Sequence, residues 1–272
     1  MHCIENEREL CLDALKRQNL PPVDVFVLSG LANREAHETL YRTFMERAHE
    51  VDFFVKVDAD MVLSRLSFLQ EVSGWMANRP GVDHLEIPVS DLFTDRQIWG
   101  LHVYRSHVRW DSVPRGVFLD LNNCIHPGSY AQEKDVLAPA AEHCPDPSPF
   151  QCYHYGLHKA VKVIQQDERR VLHVSRMNHW GKIVDIIRHA QRNHDPRLTL
   201  ALAGAADAFN LSWSTEHLDF NHPEVTKVFR AHDERSLARR ASVLKRIIRF
   251  TGRRISLRLL TWRDFFPPSR RS

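Results

Sequence analysis

Val51-Asp52-Phe53-Phe54-Val55-Lys56-Val57-Asp58-Ala59-Asp60-Met61-Val62-Leu63 is the stretch on which the reading of this chain turns. The β-branched and aromatic run from Phe53 to Val57 predicts a buried strand. It stops at two carboxylates one residue apart. Alternate side chains of an extended segment share a face, so Asp58 and Asp60 can converge on one ligand. Two hard oxygen donors at the carboxyl end of a strand suit Mg²⁺ or Mn²⁺ carrying phosphate groups. Open α/β sheets place their ligands at this end. An Asp-x-Asp alone equally describes a solvated acidic turn, so the flanking sequence decides.

Upstream, Met1 to Ile4 predicts the end of a strand, either a stub or the remainder of one that starts earlier. A helix begun at Asn6 follows, with Leu10, Leu12 and Leu15 recurring along it. Pro21-Pro22 ends that helix, and Val23 to Leu28 predicts a second strand closed by Ser29-Gly30. Asn33 to Glu50 predicts a helix with Leu40, Phe44 and Met45 on its apolar side. Strand, helix, strand, helix, strand at this spacing calls for right-handed crossovers and a parallel, doubly wound sheet.

Downstream, Ser64–Asn78 predicts a helix, and Leu85–Val89 and Gly100–Tyr104 predict two strands. Residues 111–149 are rich in Pro, Gly and Asp and predict loops of the functional kind. Helices are predicted at Phe150–Gln165, Trp180–Arg192 and Leu198–Phe209, and a basic amphipathic region at Glu234–Leu260.

Composition bounds the class. The 272 residues are 43% hydrophobic and 26% charged, with a net charge of +3, as in ordinary globular proteins. From Arg235 onward there are twelve Arg or Lys against the single Asp264. Five cysteines without a CxxC pair predict reduced thiols and a cytoplasmic setting. No signal-peptide pattern is visible, and the longest apolar run, Leu198 to Phe209, is too short to span a bilayer.

The Asp-Ala-Asp strand and the elements before it resemble the GT-A fold nucleotide-sugar glycosyltransferases, of the glycosyltransferase family 2-like kind. The likeness runs from His2 to about Leu63, and continues more weakly through Phe150 to Lys159, where His154-Tyr155-Gly156-Leu157-His158-Lys159 is similar to a late metal-ligand histidine followed by a lysine. The resemblance implies a Rossmann-like GT-A sheet, doubly wound and mostly parallel, with a short or truncated first strand and a helical C-terminal extension. It implies a catalytic domain over residues 1–170, a helical continuation over 171–233 and a basic tail over 234–272.

The resemblance further implies Mn²⁺ or Mg²⁺ held by Asp60 directly, assisted by Asp58, with His154 as a third ligand. The donor would be a nucleoside-diphosphate sugar, UDP first, contacted by Glu5, Asn6, Asp58 and Lys159. The acceptor would be a saccharide or lipid-linked hydroxyl. Two departures stand out. Leu28-Ser29-Gly30 replaces the acids usual after the second strand, and the general base is not marked. Asp91, Asp95, Asp111, Asp120, Glu133 and Asp135 are the acids available, with Asp111 and Asp120 preferred. Trp99, Trp110 and Tyr130 fit either sugar platforms or core positions.

Two other classes compete. Asp58-Ala59-Asp60 also resembles the first motif of haloacid dehalogenase-like phosphatases, with Asp58 as nucleophile, although the preceding elements and the lack of a completing acidic motif tell against it. The basic tail alone could serve a non-enzymatic binder of nucleic acid or membrane. Its interleaved Val243, Leu244, Ile247, Ile248, Phe250 and Trp262 suit an anionic membrane surface, on the inner face, at least as well as nucleic acid, which is not expected as a partner. They equally suit a helix that packs back on the domain with a solvated basic face.

Overall fold

A computed structural model describes residues 6–21, 24–111, 124–125, 129–165 and 170–251. The chain divides into two compact units, Met1–Val113 with Leu121–Pro147, and Pro114–Asp120 with Ser148–Ser272. The first is α/β and the second, in its described residues, is helical.

The first unit opens with α1 (Arg8–Lys16) and α2 (Asn33–Glu46), then β1 (Phe53–Lys56), β2 (Met61–Leu63) and α3 (Phe68–Ala77). It continues with β3 (Val82–Asp91), β4 (Arg96–Arg105), β5 (Arg109–Trp110), β6 (Cys124–Ile125), β7 (Ser129–Gln132) and β8 (Ala141–His143). Sheet order is β1-β4-β3-β8-β2, with β7 also beside β3, and β5 and β6 form a separate pair. Core residues Leu85, Ile87, Val89, Leu101 and Val103 come from β3 and β4, and Phe68 and Met76 of α3 pack in the same cluster. Trp110 stacks on Tyr41 with ring centroids 4.8 Å apart and is a core residue, not a free platform.

The α/β class is as expected, but the sheet is mixed where a mostly parallel one was predicted. β1 with β4, β3 with β4, and β2 with β8 are antiparallel, while β3 runs parallel to β7 and β8. The β3–β4 connection is too short for a crossover, so that pair is a hairpin and must be antiparallel. The predicted strand at Val23–Leu28 is also not formed over its described residues, 24–28. Val25, Phe26 and Val27 remain 42–47% exposed, and they line a cavity of about 460 Å³ shared with α1, α2 and β1. A strand needs a neighbour for its backbone groups as well as the right side chains, and β1 is the last strand of its sheet.

The second unit contains α4 (Pro149–Ile164), α5 (Arg170–Arg192), α6 (Pro196–Leu211), a 3-10 turn at Thr215–Leu218, α7 (Pro223–Arg230) and α8 (Glu234–Thr251). α4 starts with a reciprocal capping box between Ser148 and Gln151 and has Pro149 in its first turn. α4 and α6 cross backbone against backbone. A Cβ at Gly156 would lie 1.7 Å from the Ala201 carbonyl oxygen, and one at Gly204 would lie 1.9 Å from that of Tyr153. Beside this crossing the fully buried Asp207 accepts hydrogen bonds from Tyr153 Oη and His232 Nε2, each at 2.7 Å, and pairs with Arg240 of α8. α8 thus docks within its unit through its ion pair and through the buried Ala241 and Leu244. Residues 252–272, which hold most of the predicted basic tail, lie outside the described residues.

Candidate metal centre

Strand register builds the site. Met61 of β2 pairs with His143 of β8, and His143 pairs with Asp91 of β3, so one row crosses three strands. Asp60 stands one residue before that row and Cys144 one residue after it. The Cys144 amide donates to the Asp60 carbonyl at 2.7 Å and extends the ladder by one bond. Cys144 adopts φ 53°, in the left-handed region that non-glycine residues rarely enter, and this turns the chain away after β8.

Three donor atoms converge as a result. Asp60 Oδ2 lies 3.3 Å from His143 Nε2 and 3.4 Å from Cys144 Sγ, and Sγ lies 3.8 Å from Nε2. The group is a candidate metal-holding set. Behind it, His143 Nδ1 donates to Asp91 Oδ1 at 2.7 Å, since a carboxylate can only accept. Asp91 Oδ2 in turn accepts from the Thr94 amide at 2.8 Å and the Thr94 hydroxyl at 2.6 Å. A carboxylate behind a histidine fixes the tautomer and leaves Nε2 as the ligand atom. Asp60 Oδ1 is buried and has no hydrogen-bond partner among the described residues.

Electrostatics follow the burial. Desolvation by itself lowers the His143 pKa, but Cys144, Asp60 and Asp91 outweigh it and hold the imidazole well above its ordinary value. Burial first, and then the Asp60 charge, push the Cys144 thiol well above its usual range. Asp91, His143 and Cys144 have the connectivity of a nucleophilic triad. A buried thiol held protonated is nevertheless the opposite of what a nucleophile needs.

The predicted site residues have varied fates. Asp60 is in the cluster. Asp58 is outside it, its carboxylate paired with Lys56 Nζ at 2.7 Å. Burial works to raise the Asp58 pKa, but the Lys56 charge and hydrogen bond win and hold it low. Asn6 does not cap α1. Its Nδ2 donates to the Asp146 carbonyl at 2.7 Å, and the N-cap of α1 is Glu7. Asp111 is exposed just after β5. Glu5 and Asp120 lie outside the described residues.

His154 and Lys159 belong to the second unit. His154 packs among Phe150, Phe220 and His158, and burial lowers its pKa to about 4. The Lys159 ammonium sits 4.5 Å from the centre of the Tyr155 ring. Among the candidate base acids that are described, Asp91, at the end of β3, is the one brought to the candidate metal cluster, through His143 rather than toward an acceptor. His143 and Cys144 were missed. The adjacent histidine and cysteine before Pro145 were the signal, masked by seventeen histidines in the chain. No family model, curated protein or solved structure matches the chain.

Proposed function

We propose that this chain is a metal-dependent glycosyltransferase that moves a sugar from a nucleoside diphosphate, UDP first, to an acceptor hydroxyl on a saccharide or lipid-linked carrier. The observation that carries the reading is the convergence of Asp60 Oδ2, His143 Nε2 and Cys144 Sγ just past an apolar strand, backed by Asp91. In this reading the three side chains hold a divalent cation, in place of the set Asp58, Asp60 and His154. When bound, the cation supplies positive charge where the departing diphosphate becomes negative. Asp91 aims the imidazole, and Lys56 neutralises Asp58 beside the site so that two carboxylates tolerate each other. Asp111 is the proposed base among the described residues, and a donor contact from Asn6 belongs to the same proposal.

The phosphatase alternative asks Asp58 to act as a free nucleophile, and its ion pair with Lys56 weighs against that. No helix among the described residues is long and apolar enough to cross a membrane. The proposed location is cytoplasmic, with the tail on the inner membrane face beside a lipid-linked acceptor. Incubation with nucleotide sugars and, separately, with a phosphomonoester tests the assignment. Release of nucleoside diphosphate with divalent cation supports transfer chemistry. Phosphate from the monoester, with no turnover of any nucleotide sugar, ends it.

A further inference from the structure

We propose that the ion at Asp60 is of the zinc and cobalt class, bound tetrahedrally by Asp60 Oδ2, His143 Nε2 and the thiolate of Cys144, with the fourth position open, rather than Mg²⁺ or Mn²⁺. It rests on the reading of Asp60 as a metal ligand, and goes beyond it in naming the ion and in assigning Cys144.

The spacing of the donors discriminates between geometries. Tetrahedral zinc, with bonds of about 2.0–2.1 Å to N and O and about 2.3 Å to S, sets donor separations of about 3.3 Å for O–N, about 3.5 Å for O–S and about 3.6 Å for N–S. The observed separations are 3.3, 3.4 and 3.8 Å. Neighbouring donors of octahedral Mg²⁺, at about 2.0–2.1 Å from the ion, stand only about 2.9 Å apart. The 3.3 Å between His143 Nε2 and Asp60 Oδ2 is also longer than a charge-assisted hydrogen bond from nitrogen to oxygen, which runs at about 2.7–2.9 Å.

Donor chemistry points the same way. Thiolate and imidazole select borderline ions, whereas Mg²⁺ and Mn²⁺ favour carboxylate, carbonyl and water. The second carboxylate that a hard ion would recruit, Asp58, is taken by Lys56. His143 carries the carboxylate partner usual for zinc-ligating histidine. Asp60 Oδ1 is buried and has no hydrogen-bond partner among the described residues. Three protein ligands with one open position mark zinc sites that accept an exogenous ligand, as opposed to closed structural ones. Binding exchanges the Cys144 S–H bond for an S–metal bond and releases that proton to solvent.

The test is a Co²⁺ titration of the full chain after chelator treatment, followed by absorption. The expected result is one equivalent bound, with a thiolate-to-cobalt charge-transfer band and the intense visible bands of tetrahedral cobalt. Zn²⁺ should displace the cobalt, and a hundredfold excess of Mg²⁺ should not. Cys144→Ser should lose the charge-transfer band and Cys152→Ser should keep it. Weak octahedral bands without charge transfer in the wild-type chain overturn the proposal, whatever the variants do. So does a charge-transfer band that persists in Cys144→Ser. Nucleotide-sugar turnover with Mn²⁺ and no thiolate band would sink this assignment alone. A thiolate band in a chain that turns over no nucleotide sugar would sink the transferase reading alone.

Discussion

Asp91 accepts the Nδ1–H of His143 at 2.7 Å, across neighbouring strands, and is itself held by two donors from Thr94. The imidazole is therefore fixed with Nε2 toward Asp60. Asp91→Asn keeps the shape and weakens the acceptor. Affinity for Zn²⁺ or Co²⁺ should fall by roughly 10–100-fold, as for other carboxylates behind metal-bound histidine. Competition with a chromophoric chelator measures it. Unchanged affinity would mean that Asp91 serves the fold alone.

In the second unit, Asp207 is a fully buried charge shared by Tyr153, His232 and Arg240. Asp207→Ala leaves the Tyr153 hydroxyl and the His232 Nε2 in the interior without their acceptor. Each buried donor left unsatisfied costs about 1–3 kcal/mol. Urea unfolding followed by circular dichroism should show a loss of that size. A loss below about 1 kcal/mol, the scale of an exposed pair, would show the network to be solvated.

The helix crossing is sensitive to added volume. Gly156→Ala or Gly204→Ala drives a methyl group into a carbonyl oxygen of the opposing helix. Backbone cannot yield as a side-chain tip does, so either variant should lose about 3 kcal/mol or more, the upper range for overpacking. Gly181→Ala, inside α5 where a Cβ meets nothing within 4 Å, should instead gain up to about 1 kcal/mol in the same unfolding series.

His154 gives the second unit a pH dependence of known sign. Burial holds its pKa at about 4 against an ordinary 6.5. Between those values the unfolded chain binds the extra proton, so stability is complete above the ordinary pKa and is lost as pH falls toward the folded one. A shift of this size is worth on the order of 3 kcal/mol. His154→Gln should flatten the stability profile between pH 6.5 and 4 relative to wild type. An unchanged slope would assign that dependence to other groups.

Much of the local structure was legible because it depends on local causes. The helices at α3, α4 and α6 followed from apolar spacing. The strand before Asp58 was legible for the same reason. Pairing was not. Val25 to Val27 have the side chains of a strand, yet they line a cavity because strand formation is a property of two segments. Asp60 was legible as a candidate ligand from its place after an apolar run, and it stands in the donor cluster. His143 and Cys144 stand more than eighty residues away, and the Met61–His143 register that delivers them is set by long-range pairing. Asp58 was read as a metal partner because alternation aligns it with Asp60. Lys56, two residues earlier, has the same parity and takes the carboxylate instead.

The central claim, that Asp60 and its partners hold a cation on which a nucleotide sugar binds, is tested most directly by thermal shift. Only a ligand of the folded state raises the midpoint. The full chain is heated with UDP-, GDP- and dTDP-sugars, with Mn²⁺, with Zn²⁺ and with chelator. The account predicts a rise with at least one nucleotide sugar that requires a divalent cation and disappears in Asp60→Ala. A rise that survives chelator and Asp60→Ala, or no rise with any of the donors, would contradict it.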